Sequence, residues 1–161
     1  MDTTKNSLDP RTSTARAIAD LEDGLILACV ELAATPERVF QALTSDQICT
    51  WWVRPGVFDT REWAAEMRPG GRWRAAGIGG GQPYALEGEF VEISSPRKLV
   101  QTWRTGADPA VTTFTFHLEP LDGGTHVTLC HVGFSVPRVC GATGIGWETS
   151  FVALEAMFAR D

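Results

Sequence analysis

The chain has 161 residues, 43% hydrophobic and 21% charged, which suits one compact domain with enough apolar material for a core. Its 14 basic and 20 acidic side chains leave a net charge of −6, against the basic excess expected of a nucleic-acid binder. No apolar run approaches the roughly 20 residues that a membrane helix requires, so neither nucleic acid nor membrane insertion is expected.

The four cysteines, Cys29, Cys49, Cys130 and Cys140, form no C-x-x-C pair, and no secretory apolar segment opens the chain. Reduced thiols and a cytoplasmic location are the expectation. Residues 1–23 are polar and mix both charge signs, which predicts a loose N-terminal arm; residues 24–161 form the single domain. A short apolar run, Leu25 to Leu32, has strand length. Thr35-Pro36 reads as a helix start, an N-cap hydroxyl followed by proline at the first helical position. Val39, Phe40 and Leu43 then make an amphipathic helix ending near Thr44, and Ile48, Trp51 and Trp52 the apolar side of a second short one closed by Pro55-Gly56.

Strands with turn signals follow, as in an antiparallel sheet. They are predicted near Arg61–Met67, Gly71–Ala76, Tyr84–Ile93, Lys98–Arg104, Val111–Leu118 and Thr125–Val132. Alternation is clearest at Thr113 to Leu118, where Phe114, Phe116 and Leu118 share one face and His117 points away. Trp147, Phe151, Leu154 and Phe158 return to helical spacing, and this final helix must bury its stripe against the sheet.

Several segments resemble one family. Thr35 to Thr44 is similar to the x-P-E-x-V-F-x-A-L-T opening of Hsp90-ATPase-activator-like proteins, and Trp51-Trp52 to the W-W element that follows. Met67 to Trp73 resembles the R-P-G-G hairpin, with the family's acidic residue displaced to the neighbourhood of Glu66 and Met67. Gly88 to Val100 resembles G-x-[VFY]-x-E-I-x-P-P-x-R-L-V, Gly124 to Leu129 resembles G-T-x-[LV]-T-L, and Gly146-Trp147 opens the last helix. The resemblance implies an α+β helix-grip fold of the START/Bet v 1-like kind. That is a curved seven-stranded antiparallel sheet around a long C-terminal helix, with two short helices after the first strand and a cavity between sheet and helix. Eukaryotic Hsp90 activators carry a further N-terminal domain for which this chain has no room, so Hsp90 contact is not expected.

Candidate chemistry is sparse. The three histidines, His117, His126 and His131, match no metal-ligand spacing, so no metal is expected, and no cofactor motif is present. Gly77 to Gly81 lacks the Lys-Ser/Thr of a phosphate loop and reads as a hairpin loop near the cavity entrance. His131 falls on the inner face of its strand with Val127 and Leu129. It is either a titratable group presented to the cavity near neutral pH or a histidine hydrogen-bonded at the sheet edge. The six tryptophans are either core or pocket lining; Trp147 reads as packing, and Trp51 and Trp52 stand at the cavity mouth of this fold. The predicted lining comprises Trp51, Trp52, Trp73, Trp103, Phe114, Phe116, His131 and Phe151. Arg72, Arg74 and Arg104 are candidates for an anionic group, with surface solvation as the simpler reading. The functional expectation is binding of a small hydrophobic or amphipathic molecule. The alternatives are a cyclase-, dehydratase- or hydrolase-type enzyme with His131 moving a proton, or an Hsp90-related interaction module. Homodimerisation stays open.

Overall fold

The computed structural model describes residues 12–159. A single antiparallel sheet curves around one long helix. The strands are β1 (Arg16–Asp20), β2 (Leu25–Leu32), β3 (Val53–Arg54), β4 (Phe58–Ala65), β5 (Arg72–Gly79), β6 (Gln82–Ser94), β7 (Lys98–Thr105), β8 (Asp108–Leu121) and β9 (Gly124–Val132). The helices are α1 (Pro36–Leu43), α2 (Ile48–Trp51) and α3 (Pro137–Ala159). Sheet order is β1-β2-β9-β8-β7-β6-β5-β4-β3, so β4 to β9 run as a meander and β2 closes onto β9. This is the α+β helix-grip architecture that the sequence implies, with nine strands among the described residues rather than seven.

Of the two additional strands, β3 is a two-residue pairing of Val53 and Arg54 with Asp59 and Phe58. The other, β1, corrects the expectation of a loose arm over 1–23, whose first part (1–11) lies outside the described residues. Here Arg16, Ile18 and Asp20 alternate with Ala17 and Ala19, and the segment pairs in register with Cys29 to Leu25 of β2. Its signal is weak because the inward residues are alanines. They are small for a reason: a Cβ added to Gly144 of α3 would stand 3.3 Å from Ala19 Cβ, so helix and edge strand pack nearly backbone to backbone. Two helix carboxylates also hold the segment. Glu148 accepts the Ala17 N–H at 3.0 Å, and Glu155 accepts from the Thr14 N–H at 3.0 Å and its hydroxyl at 2.7 Å.

Helix α1 begins as expected, with Thr35 Oγ1 accepting the Arg38 N–H at 3.2 Å. Helix α3 begins at Pro137, nine residues before the Gly146-Trp147 pair that was to open it. Three glycines (Gly141, Gly144, Gly146) dilute the apolar pattern of its first half, and packing overrides their low helix propensity. Its stripe of Trp147, Phe151, Leu154 and Phe158 is fully buried against Phe114, Phe116, Leu118, Val127 and Leu129 of the concave sheet face.

Candidate functional site

The predicted lining residues separate into two groups. Six of them, Trp51, Trp73, Phe114, Phe116, His131 and Phe151, are at most 2% exposed and form a packed aromatic core. Trp51 donates its indole N–H to Ala42 O at 2.9 Å, and Trp73 donates to Thr102 O at 2.9 Å, so both are satisfied as core residues. Trp52 joins the core to a cavity. It stacks on Trp147 (centroids 5.7 Å apart, 19° between planes) and on Trp51 (6.2 Å, 12°), and lies 5.4 Å from Trp103 and 6.1 Å from Trp73.

The cavity measures about 480 Å³ and opens where the first half of α3 passes over the β5–β6 end of the sheet. Trp52, Trp103 and Trp147 form its inner wall. Phe58, Tyr84, Leu86 and Val139 form its sides, and Val57, Gly79 and Gly80 border it at the β3–β4 and β5–β6 turns. The β5–β6 turn is a two-residue hairpin through Gly80 and Gly81, with φ of 58° and 78°, values that favour glycine and place no side chain over the cavity. The glycine-rich loop thus stands at the cavity, as its sequence suggested. Gly146 of α3 also faces this space: a Cβ there would meet only Phe58 Cε1, at 3.7 Å.

Polar groups at the cavity are few. The Tyr84 hydroxyl pairs with Thr60 Oγ1 at 2.6 Å, and because Thr60 donates to Trp52 O at 2.8 Å, Tyr84 is the donor to Thr60. Burial raises the Tyr84 pKa, so the phenol is neutral. Among the described residues, Arg54 on β3 and Arg138 on α3 are the only charged side chains lining the cavity. Arg72, Arg74 and Arg104, the arginines singled out from sequence, lie instead around a separate hollow with Glu66, Glu87 and Glu89.

His131 is fully buried beneath the inner wall, and of its two readings the hydrogen-bonded one fits, though in the interior strand β9 rather than at a sheet edge. Its Nδ1 accepts the Trp147 indole N–H at 3.0 Å, so the neutral ring carries its proton on Nε2. That proton is donated to Thr112 Oγ1 at 2.7 Å, and the Thr112 hydroxyl donates to Trp103 O at 3.3 Å. A second proton would oppose the Trp147 donor inside an aromatic cage that includes Trp103 at 5.1 Å and Phe134 at 4.5 Å. Burial accordingly pushes the His131 pKa down to about 3. The histidine therefore orients the Trp147 indole of the cavity wall and, through Thr112, ties the backbone of Trp103.

Asp108, 1% exposed, anchors the entrance to α3. Its carboxylate accepts the N–H groups of Ser135 (3.0 Å), Val136 (2.9 Å) and Ala110 (2.9 Å) and the Ser135 hydroxyl. Burial disfavours its charge, but these four donors outweigh that and hold its pKa at about 2. Asp108→Ala should lower stability by about 2 kcal/mol, the scale of a charged hydrogen-bond acceptor removed from buried donors. Urea unfolding at pH 7 measures it, and a change below about 0.5 kcal/mol would contradict the anchoring role.

The described residues contain no helix long and apolar enough to cross a membrane. All four cysteines are free thiols.

The sequence profile of the activator of Hsp90 ATPase homolog 1-like proteins matches residues 33–159. The chain belongs to that family. Solved structures share its fold. A protein from Chromobacterium violaceum superposes with a TM-score of 0.74 at 25% identity, over 86% of this chain and 99% of its own. One from Arthrobacter aurescens gives 0.74 at 19% identity, over 92% and 94%. One from Mycobacterium smegmatis gives 0.73 at 19% identity, over 90% and 97%. No match was found among curated proteins.

The family segments frame this cavity. The W-W element supplies Trp52 to the cavity wall and Trp51 to the core, and the Gly146-Trp147 pair supplies one open position and one wall. The R-P-G-G hairpin lies away from the cavity; there the Glu66 carboxylate accepts the Arg72 N–H at 3.0 Å, so the displaced acidic residue still braces the turn. Sequence reasoning missed Phe58, Tyr84, Leu86, Val139, Arg54 and Arg138, and assigned Trp147 to packing alone. Arg54-Pro55-Gly56 and the run of small residues around Gly146 were the available signals.

Proposed function

We propose that this protein binds a small hydrophobic or amphipathic molecule in the cavity between α3 and the sheet. The observation that carries the reading is the cavity of about 480 Å³, walled by three tryptophans and closed behind by a satisfied aromatic core. Its volume lies within the roughly 300–1,000 Å³ range of small-molecule sites. Large, rigid aromatic walls supply contact area at low cost in side-chain entropy. Proton transfer by His131 is not part of this reading, because both ring nitrogens are engaged and the ring is enclosed.

Native mass spectrometry of the freshly purified protein, followed by a thermal-shift screen of apolar and amphipathic compounds, tests the proposal. A ligand at a hundredfold excess over its Kd should stabilise by about 2.7 kcal/mol, a rise of roughly 5–10 °C in Tm for a domain of this size. Gly146→Leu should abolish that rise. Its side chain enters the cavity, while leucine is a better helix former than glycine by about 0.8 kcal/mol, so the variant stays folded. Absence of any co-purified mass and of any Tm shift across the screen would sink the proposal.

A further inference from the structure

Resting on the cavity reading above, we infer that the ligand carries one acidic group, a carboxylate or sulfonate on an aromatic or otherwise apolar body, paired with Arg54 and Arg138. Among the described residues these two are the only charged ones in the lining, which shows no carboxylate. Nor is either arginine neutralised within the described protein. Three other cations each have a carboxylate within 4 Å: Arg61 has Asp59 at 2.8 Å, Arg68 has Glu66 at 3.5 Å and Lys98 has Glu92 at 3.3 Å. Arg54 and Arg138 have no such partner among the described residues, as is also true of Arg72, Arg74, Arg97 and Arg104; what sets these two apart is their place at the apolar cavity.

Two carboxylates in adjoining segments are already committed. Asp59, the register partner of Val53 beside Arg54, pairs with Arg61. Asp108, close to the start of α3, spends its carboxylate on four donors of the segments it ties. Trp103, a residue of the same wall, has a buried indole N–H that meets no acceptor among the described residues. Two guanidinium groups without a carboxylate partner beside apolar walls match an anion on an apolar body. A neutral hydrocarbon would gain nothing from either arginine, whereas an anion forms charge-assisted hydrogen bonds with them.

Anilinonaphthalene sulfonate and N-phenylnaphthylamine share the same ring system and differ by the sulfonate, so fluorescence titration with both isolates the charge. The sulfonate dye should bind at least tenfold more tightly, and added salt should weaken it while sparing the neutral dye. Arg54→Gln and Arg138→Gln should each weaken the sulfonate dye about tenfold and change the neutral dye less than about twofold, while Gly146→Leu should block both. Equal affinity of the two dyes, with both blocked by Gly146→Leu, would overturn the acidic-ligand inference and leave the cavity reading standing. Binding of neither dye, or binding indifferent to Gly146→Leu, would overturn both.

Discussion

Trp52→Ala is expected to lower the unfolding free energy by about 3–5 kcal/mol, the range for removing a buried tryptophan from a packed core. Trp52 is 6% exposed and touches four other tryptophans, with centroid distances of 5.4 to 6.2 Å to Trp51, Trp73, Trp103 and Trp147. Removal forfeits those ring contacts and merges the space left behind with the existing cavity. The surrounding wall cannot collapse to refill it, because His131 and the Thr102 and Ala42 carbonyls hold Trp147, Trp73 and Trp51 in place. Urea unfolding followed by far-ultraviolet circular dichroism measures the loss without depending on tryptophan emission. Trp63→Ala supplies the comparison, since that ring is only half-buried at the rim of the core. Equal losses in the two variants would show that Trp52 has no special place in the packing.

Acid is expected to remove stability through His131 well above the range where carboxylates act. The unfolded histidine takes up a proton near pH 6.5, while in the folded protein burial has pushed its pKa down to about 3. The group's contribution is therefore whole above pH 6.5 and declines as pH falls through that window, because the unfolded chain binds the proton first. The slope approaches about 1.4 kcal/mol per pH unit, so about 3 kcal/mol should be gone by pH 4. Asp108 adds a second loss lower down, between its ordinary value of 3.8 and about 2. His131→Asn separates the two: its carbonyl oxygen can still accept from Trp147, but it does not titrate. That variant should be less stable at pH 8 and nearly flat from pH 7 to 5, where the parent already declines. Parallel stability curves for parent and variant would refute the buried neutral assignment.

Particular elements explain what could be read in advance. The β7–β9 strands and the stripe of α3 were legible because one face of each is buried throughout, so Thr113 to Leu118 alternates and Trp147 to Phe158 keeps helical spacing. The inward direction of His131 was legible for the same reason. Its protonation state was not, since that depends on Trp147 and Thr112, which reach it from 16 and 19 positions away in the chain. Strand β1 escaped notice because its buried face consists of alanines, which carry little hydropathic signal. Six of the eight predicted lining residues proved to be solid core. Inward direction is a property of one strand, whereas the end of packing depends on how far α3 reaches along the sheet.

The sequence by itself determined the family, through its motifs, and the antiparallel meander, the aromatic content of the interior and the net acidity, through local periodicity and composition. The tertiary structure alone decided where the core stops and a cavity begins. It also decided that Gly146 leaves that space open, that Arg54 and Arg138 meet at one lining, and that His131 serves the wall as a neutral strut. The physical reason is common to all four: each depends on distances between segments far apart in sequence, set when α3 settles against the curved sheet.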